Sequence, residues 1–298
     1  MTTVGKAEVR ERDLNLPDGR RLHLYDSGDP RGELVIVHHG TPGSGEPAAW
    51  WAEDATTRGI RLVGYDRPGY GGSDRQAGRR VAEAAADVAA IADAFGVERF
   101  RTYGGSGGGP HALACAALLP DRVIACVAFA SPAPYSAPGI AWSAGMGQDN
   151  VDEFSAAVAG EVTLRGYLSA ATDQLRSIDA SGMAEMLRTL LPDADLAVLD
   201  DDVAGWLHNG FTVGLRDGFD GWLDDDLAFV MEWGFEPSRI RVPVLLMHGR
   251  HDLMVPFAHG EWMASSIPGV SARLTDSDGH LTLVRRINDV HAWLLEQA

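Results

Sequence analysis

The stretch RFRTYGGSGGGPHALACAALL, residues 99–119, decides both the fold and the chemistry of this chain. Arg99–Tyr103 predicts a β-strand, the glycines of Gly104–Gly109 a tight turn, and Pro110–Leu119 a helix that is apolar on every face and therefore buried against a sheet. The turn matches G-x-S-x-G, with Ser106 at its centre. A serine at so sharp a turn has a strained backbone, and the glycines two positions away on each side leave room for it. The pattern indicates an exposed, nucleophilic serine between a strand and a helix.

Short apolar strands alternate with helical patterns on both sides of this stretch. Alternation of this kind requires crossover connections, so it predicts an α/β fold with a mostly parallel sheet flanked by helices. An antiparallel hairpin, Glu8–Leu16 with Arg21–Tyr25, precedes the alternation, and a helix over Leu281–Glu296 ends it. Residues 133–236 show helical periodicity and no clear strand. We therefore expect a core formed by residues 1–132 and 237–298, interrupted by a helical insertion over residues 133–236.

A serine hydroxyl needs a base to remove its proton and an acid to orient that base. After a serine in this setting, the acid and then the histidine are expected in loops at the carboxyl ends of later strands. Asp252 follows the predicted strand Val242–Met247, and His280 follows the predicted strand Ser271–Leu274. We predict the catalytic residues to be Ser106, Asp252 and His280. Two rival bases, His248 and His251, rank below His280 because they share the loop of Asp252.

Acyl transfer passes through an oxyanion that needs two preorganised backbone N–H donors. One is expected from Gly107, the residue after the serine. The other is expected from the glycine-rich loop that follows the strand ending at His38, and Thr41 is the predicted donor. Glycine turns at the carboxyl ends of parallel strands are where ligand sites of α/β proteins gather.

Taken together, the chain resembles the serine-dependent α/β-hydrolases over nearly its whole length. The resemblance is carried by five segments in the family's order: HGTPG (39–43), DRPGYGGS (66–73), GGSGG (104–108), residues 249–256 and Gly279-His280. It implies an α/β-hydrolase fold in which the insertion 133–236 is a helical cap or lid over the active site. It also implies a Ser-His-Asp mechanism through an acyl-enzyme, with no metal and no organic cofactor. A carboxylesterase acting on small neutral esters is the first expectation.

Three alternatives stay open on the same motifs. Proline iminopeptidases have a similar loop and use acids of the cap to hold the substrate's amine, but they usually carry glycine where this chain has Thr41 and a large aromatic residue where it has Gly107. A carbon-carbon bond hydrolase or a perhydrolase would use the same triad. A binding protein that keeps the triad but turns over slowly is the third.

The formal net charge of the chain is -17, which argues against nucleic acid or an anionic membrane surface as a partner. Residues 135–236 hold 19 acidic side chains against four arginines, so the insertion carries most of this charge. The runs Asp200–Asp202 and Asp224–Asp226 are most simply solvated helix faces or caps. A small-molecule substrate that is neutral or cationic is expected, and Trp142, Met146 and Phe211 are proposed to line its pocket. We expect a cytoplasmic protein, with a homodimer permitted.

Overall fold

A computed structural model describes residues 8–179, 181–182, 186 and 191–298. Eight strands form one sheet in the order β1-β2-β4-β3-β5-β6-β7-β8. Their bounds are β1 Arg10–Asn15, β2 Arg21–Gly28, β3 Glu33–His38, β4 Ile60–Tyr65, β5 Phe100–Gly105, β6 Val123–Phe129, β7 Val244–Gly249 and β8 Ser271–Thr275. The strand pairs from β4 to β8 are parallel, while β1 with β2 and β2 with β4 are antiparallel. The predicted mostly parallel sheet with an antiparallel N-terminal hairpin is confirmed.

Apolar side chains cover both faces of the sheet because successive residues of a strand point to opposite sides. In β3, Val35 and Val37 join one buried cluster, whereas Leu34 and Ile36 join the cluster on the other face. Strands that are buried on both faces read as continuous apolar runs, which is why these strands were recognisable in the sequence.

Helices lie on both faces of the sheet. They are α1 Ala49–Thr57, α2 Ala84–Ala94, α3 Gly108–Leu118, α4 Gln148–Ala159, α5 Glu161–Ser177, α6 Asp193–Leu196, α7 Asp201–Gly214, α8 Asp220–Val230, α9 Phe257–Ser266, α10 Leu281–Val284 and α11 Ile287–Glu296, with short 3-10 turns at Val81–Glu83 and Pro237–Arg239. The first nine residues of α3, Gly108–Ala116, are all buried, as its apolar faces predict.

The single C-terminal helix expected over Leu281–Glu296 is instead two helices, α10 and α11. The break follows Val284, whose carbonyl accepts a hydrogen bond of 3.2 Å from the indole N–H of Trp51. An apolar pattern with helical spacing continues through such a break, so the sequence could not reveal it.

The segment between β6 and β7 contains α4 to α8, and no strand occurs among its described residues. Residues 180, 183–185 and 187–190 of the predicted insertion lie outside the described part of the chain. Across the described ranges, no helix combines the length and apolar character needed to cross a membrane.

Candidate active site

Ser106 lies at a sharp turn between β5 and α3. Its φ is 53°, and Ala130 is the only other non-glycine residue with a positive φ in the described ranges. Glycines make the turn possible: a Cβ on Gly104 would overlap the carbonyl of Gly108, and one on Gly108 would overlap the carbonyl of His38. The local backbone therefore has the strained geometry that the G-x-S-x-G pattern predicts.

His280 and Asp252 form a buried pair beside this turn. The His280 Nδ1–H donates to Asp252 Oδ2 at 2.8 Å, and the two residues are 5% and 3% exposed. Asp252 Oδ1 also accepts from the backbone N–H groups of Met254, at 2.9 Å, and Val255, at 2.8 Å. These bonds fix the carboxylate, and the carboxylate fixes the imidazole with Nδ1 protonated, which leaves Nε2 to exchange a proton.

The charges around His280 favour its protonated form. Burial alone would lower its pKa, but the Asp252 carboxylate outweighs burial and the net pKa is raised, with Asp195 acting in the same direction. A histidine that takes up a proton during a reaction needs this kind of stabilisation.

Ser106 and His280 line one cavity of about 480 Å³, which opens at the carboxyl ends of the parallel strands. Ser106 follows β5 and His280 follows β8, so two separate strand ends contribute to the cavity, and Asp252, which bonds to His280, follows a third strand, β7. The structure thus pairs His280 with Asp252 and places Ser106 and His280 on the wall of one cavity.

The two rival bases are placed differently. His248 is fully buried, its Nε2 donates to the carbonyl of Val255 at 2.8 Å, and burial lowers its pKa. His251 is exposed on the surface. Neither residue lines the cavity of Ser106.

Thr41 and Gly107, the predicted oxyanion donors, meet at the floor of the cavity. A Cβ on Gly107 would overlap the Thr41 side chain, so the two residues are in direct contact. Within the described part of the chain, neither backbone N–H donates a hydrogen bond. An oxyanion requires two free backbone N–H donors, and these two residues, one of them next to Ser106, are candidates to supply them.

A buried charge network holds the Thr41 loop. Asp225 of α8 accepts from the Thr41 hydroxyl at 2.7 Å and from Arg67 Nη2 at 2.6 Å. Its other oxygen pairs with Arg79 at 2.6 Å. Arg67 in turn donates to the carbonyls of Gly40, at 3.0 Å, and His39. Despite complete burial, which acts in the opposite direction, the two arginines hold the pKa of Asp225 well below its usual range.

This network corrects the interpretation of Asp224–Asp226 as a solvated helix face. The three side chains are at most 2% exposed. Asp224 pairs with Arg75, and Asp225 pairs with Arg67 and Arg79. Asp226 lies against the cavity. Arg67 of the DRPGYGGS motif was the one sequence feature that could have indicated a buried acidic partner, since a buried guanidinium needs a carboxylate. In the other run, Asp200 accepts from Val203 N at 3.0 Å and caps α7, as predicted.

Asp195 is a site residue that the sequence did not reveal. It is fully buried on α6, and its carboxylate accepts from the backbone N–H groups of His280, at 2.7 Å, and Thr282, at 2.9 Å. A Cβ on Gly279 would overlap the same carboxylate, so the glycine before His280 makes room for it. No motif surrounds Asp195, and only the folded chain brings it to the His280 loop.

The three predicted pocket residues, Trp142, Met146 and Phe211, all line the cavity. Trp142 also has a structural role, because its indole N–H donates to the carbonyl of Ala133 at 2.8 Å and its ring contacts Phe154 edge-on at 4.6 Å between centroids.

Comparison with known proteins agrees with this architecture. A family model described as alpha/beta hydrolase fold matches residues 33–161. A non-heme chloroperoxidase of Streptomyces lividans is 26% identical over 81% of this chain and 82% of its own length. A 2-hydroxy-6-oxononadienedioate/2-hydroxy-6-oxononatrienedioate hydrolase of Paraburkholderia phymatum is 28% identical over 87% of this chain and 84% of its own length.

Solved structures share the whole architecture at low sequence identity. A thermophilic esterase from Thermogutta terrifontis superposes with a TM-score of 0.69 at 19% identity, over 96% of this chain and 98% of that one. At this identity the likeness establishes the arrangement of strands and helices, and the chemistry has to be argued from the site.

Proposed function

We propose that this chain, which has the α/β-hydrolase fold predicted from its sequence, is a serine hydrolase that cleaves small carboxylic esters through an acyl-enzyme. The observation that carries the proposal is the 2.8 Å bond from His280 to Asp252 in a cavity shared with Ser106, whose φ is 53°. A serine on a strained turn and a histidine oriented by a buried carboxylate are the two requirements for nucleophilic catalysis by a hydroxyl.

In the proposed reaction, His280 Nε2 takes the Ser106 hydroxyl proton as Oγ attacks the acyl carbon. The backbone N–H groups of Thr41 and Gly107 stabilise the oxyanion, and Asp252 stabilises the imidazolium. His280 then gives its proton to the leaving alcohol. Water attacks the resulting ester of Ser106, with His280 acting again as base and then as acid, and the carboxylic acid leaves.

We propose the division into a core of residues 1–132 and 237–298 and a cap of residues 133–236 on the contacts of the inserted helices. Asp225 reaches from α8 to the Thr41 loop, and Asp195 reaches from α6 to the His280 loop. The inserted segment therefore bonds to both sides of the catalytic centre, where a lid over the substrate would lie.

The cavity favours a neutral or cationic substrate. Its described lining is mainly apolar, contains no arginine or lysine, and includes five carboxylate residues, Glu46, Asp149, Asp152, Glu153 and Asp226. A dioate such as the one in the name of the Paraburkholderia phymatum relative is a dianion at neutral pH, and these carboxylates would repel it. This argues against that substrate class here, although the triad alone permits carbon-carbon bond cleavage or perhydrolysis.

The same carboxylates favour an aminopeptidase resembling proline iminopeptidases as the second candidate. Against it, the Thr41 side chain occupies the space that any Cβ at position 107 would need, so this site has no room for the aromatic residue expected there in that family.

Hydrolysis of 4-nitrophenyl butyrate, compared with that of a prolyl 4-nitroanilide, tests these candidates. We expect kcat/KM to be at least about 100-fold higher for the ester than for the anilide. The anilide is the less reactive acyl donor, and nothing in the site compensates for that difference. The reverse preference would favour the aminopeptidase. Labelling of Ser106 by a fluorophosphonate without turnover of either substrate would favour a slow binding protein.

A further inference from the structure

We propose that Arg67 is a positioning residue for the reaction, which orients and polarises the peptide group that carries the Thr41 N–H. This inference rests on the proposed function, in which that N–H is one of the two oxyanion donors. The carbonyl of Gly40 and the N–H of Thr41 belong to one planar peptide group and point in opposite directions. A side chain that binds the Gly40 carbonyl from the core therefore sets the direction of the Thr41 N–H.

Two side chains donate to the Gly40 carbonyl oxygen. Arg67 Nη2 lies 3.0 Å from this oxygen, and His39 Nδ1 lies 2.7 Å from it. The other ring nitrogen of His39, Nε2, accepts the backbone N–H of Arg67 at 3.1 Å, so Nδ1 carries the ring proton and is a donor. Both lone pairs of the carbonyl oxygen are thereby used, which leaves this peptide group little freedom to rotate.

The guanidinium of Arg67 is itself held in place. It is 1% exposed, its Nη1 donates to the carbonyl of His39, and its Nη2 also lies 2.6 Å from Asp225 and 2.9 Å from the Thr41 hydroxyl. Burial alone would lower the pKa of Arg67, but the Asp225 carboxylate outweighs burial and the net pKa is raised. The loop is therefore fixed by a planar group that keeps its charge.

The charge of Arg67 also strengthens the N–H at the other end of the peptide group. A carbonyl that accepts a charge-assisted hydrogen bond draws electron density toward its oxygen, so the N–H of the same peptide group becomes a better donor. For Gly107, the carbonyl of the peptide group is that of Ser106, and it accepts the neutral N–H of Gly109 at 2.9 Å. The Thr41 N–H is therefore the stronger of the two proposed donors.

Arg67→Lys tests this role, because one ammonium group cannot reproduce a planar fork that reaches several oxygens. With 4-nitrophenyl butyrate, kcat should fall at least about tenfold while KM stays within about twofold, since the donor acts on the oxyanion more than on the bound ester. A variant that merely folds less well would also show a lower apparent kcat, so a second measurement is needed.

Inhibition by trifluoromethyl butyl ketone supplies that measurement. The Ser106 Oγ adds to the ketone carbon, the ketone oxygen becomes an oxyanion at the proposed donors, and His280 keeps the hydroxyl proton. The Ki of this ketone does not depend on the amount of folded protein. In Arg67→Lys, Ki should rise by the same factor by which kcat/KM falls.

Arg75→Lys is the matched control. Arg75 pairs with Asp220 and Asp224 of α8, the helix that also carries Asp225, but its side chain is 29% exposed. The substitution therefore makes the same chemical change at another arginine that contacts the same helix. Its kcat and its Ki for the ketone should match those of the wild type.

Thr41→Val is the second variant, and it decides the question if Arg67→Lys does not fold. It removes the hydroxyl that joins Arg67 to the loop, but it keeps the backbone N–H and leaves the pair of Arg67 with Asp225 intact. We expect Ki to rise and kcat to fall by at least about threefold. Thr41→Ser, which keeps the hydroxyl, should lose less.

A folded Arg67→Lys protein whose Ki stays within about twofold of the wild-type value overturns the positioning role, even where its kcat is lower. So does a rise in Ki that Arg75→Lys shares, or an unchanged Ki in Thr41→Val. Failure of the proposed function has a different signature, because the wild-type protein would then neither hydrolyse 4-nitrophenyl butyrate nor bind the ketone.

Discussion

Asp195 of the inserted segment accepts a hydrogen bond of 2.7 Å from the backbone N–H of His280. Its second oxygen accepts from Thr282 N at 2.9 Å, so one carboxylate holds the start of the helix that follows His280. Negative charge at the first turn of a helix is favourable, and here it also lies close to the imidazole. The inserted segment thus contributes both position and charge to the proposed base.

Asp195→Asn should lower the pKa of His280, because the charge that raises it is removed. The proposed base must be neutral in the free enzyme, so the acidic limb of kcat/KM against pH should move to lower pH. One backbone N–H would also lose its acceptor, at a cost of about 1–3 kcal/mol in the free energy of unfolding. A pH profile and urea unfolding measure the two effects.

Asp193→Asn is the control for that substitution, since Asp193 is exposed on the same short helix. Its profile should match the wild type. An acidic limb that stays in place in Asp195→Asn would show that Asp195 has a structural role alone.

Asp252→Asn should reduce kcat by about 10⁴-fold, because the amide can present its N–H to Nδ1 and stabilise the wrong tautomer. The acidic limb in the pH profile of the remaining activity should also move to lower pH, since Asp252 is the largest influence that raises the pKa of His280. Steady-state kinetics between pH 5 and pH 9 measure both changes. Near-normal activity in this variant would exclude Asp252 as the orienting acid.

Asp225→Asn should destabilise the protein by about 3–5 kcal/mol, because it leaves the buried guanidinium groups of Arg67 and Arg79 without their carboxylate. The folded-state pKa of Asp225 lies below its unfolded value. The contribution of Asp225 to the free energy of unfolding is therefore complete above its unfolded-state pKa. That contribution is lost as the pH falls through its folded-state pKa. Urea unfolding at pH 7 measures the difference, with Asp217→Asn as the exposed control. Equal urea midpoints for the wild type and Asp225→Asn would contradict a stabilising role of the charge network.

Gly107→Ala should lower kcat at least about tenfold, because its Cβ would overlap the Thr41 side chain and displace an amide whose loss at an oxyanion site costs about 10²–10³-fold. Adding Thr41→Gly removes the obstructing side chain and should restore part of the activity. This non-additivity is the diagnostic result, measured as a double-mutant cycle on kcat. Additive losses would place the effect elsewhere in the turn.

The sequence was sufficient for the sheet, and it was enough to propose three catalytic residues. The parallel strands are buried on both faces, so they appear as apolar runs, and their carboxyl ends locate Ser106, Asp252 and His280 in the chain. Thr41 and Gly107 followed from glycine-rich turns at two of the same ends.

The contacts of the inserted helices with the core were not predictable. Asp225 resembles any acidic residue of a helix, and its partners Arg67 and Arg79 lie about 150 residues earlier in the chain. Asp195 is bonded by backbone N–H groups, which have no signature in the sequence at all. Charge counting therefore described the insertion as acidic without distinguishing its solvated carboxylates from the buried ones.

The most direct test of the account is to locate the nucleophile by mass spectrometry after treatment with a fluorophosphonate, alongside ester hydrolysis by Ser106→Ala. We predict one adduct, on the peptide that contains Ser106, together with loss of 4-nitrophenyl butyrate hydrolysis in the variant. An adduct on a different residue, or a Ser106→Ala protein that still hydrolyses the ester at the wild-type rate, would contradict the account.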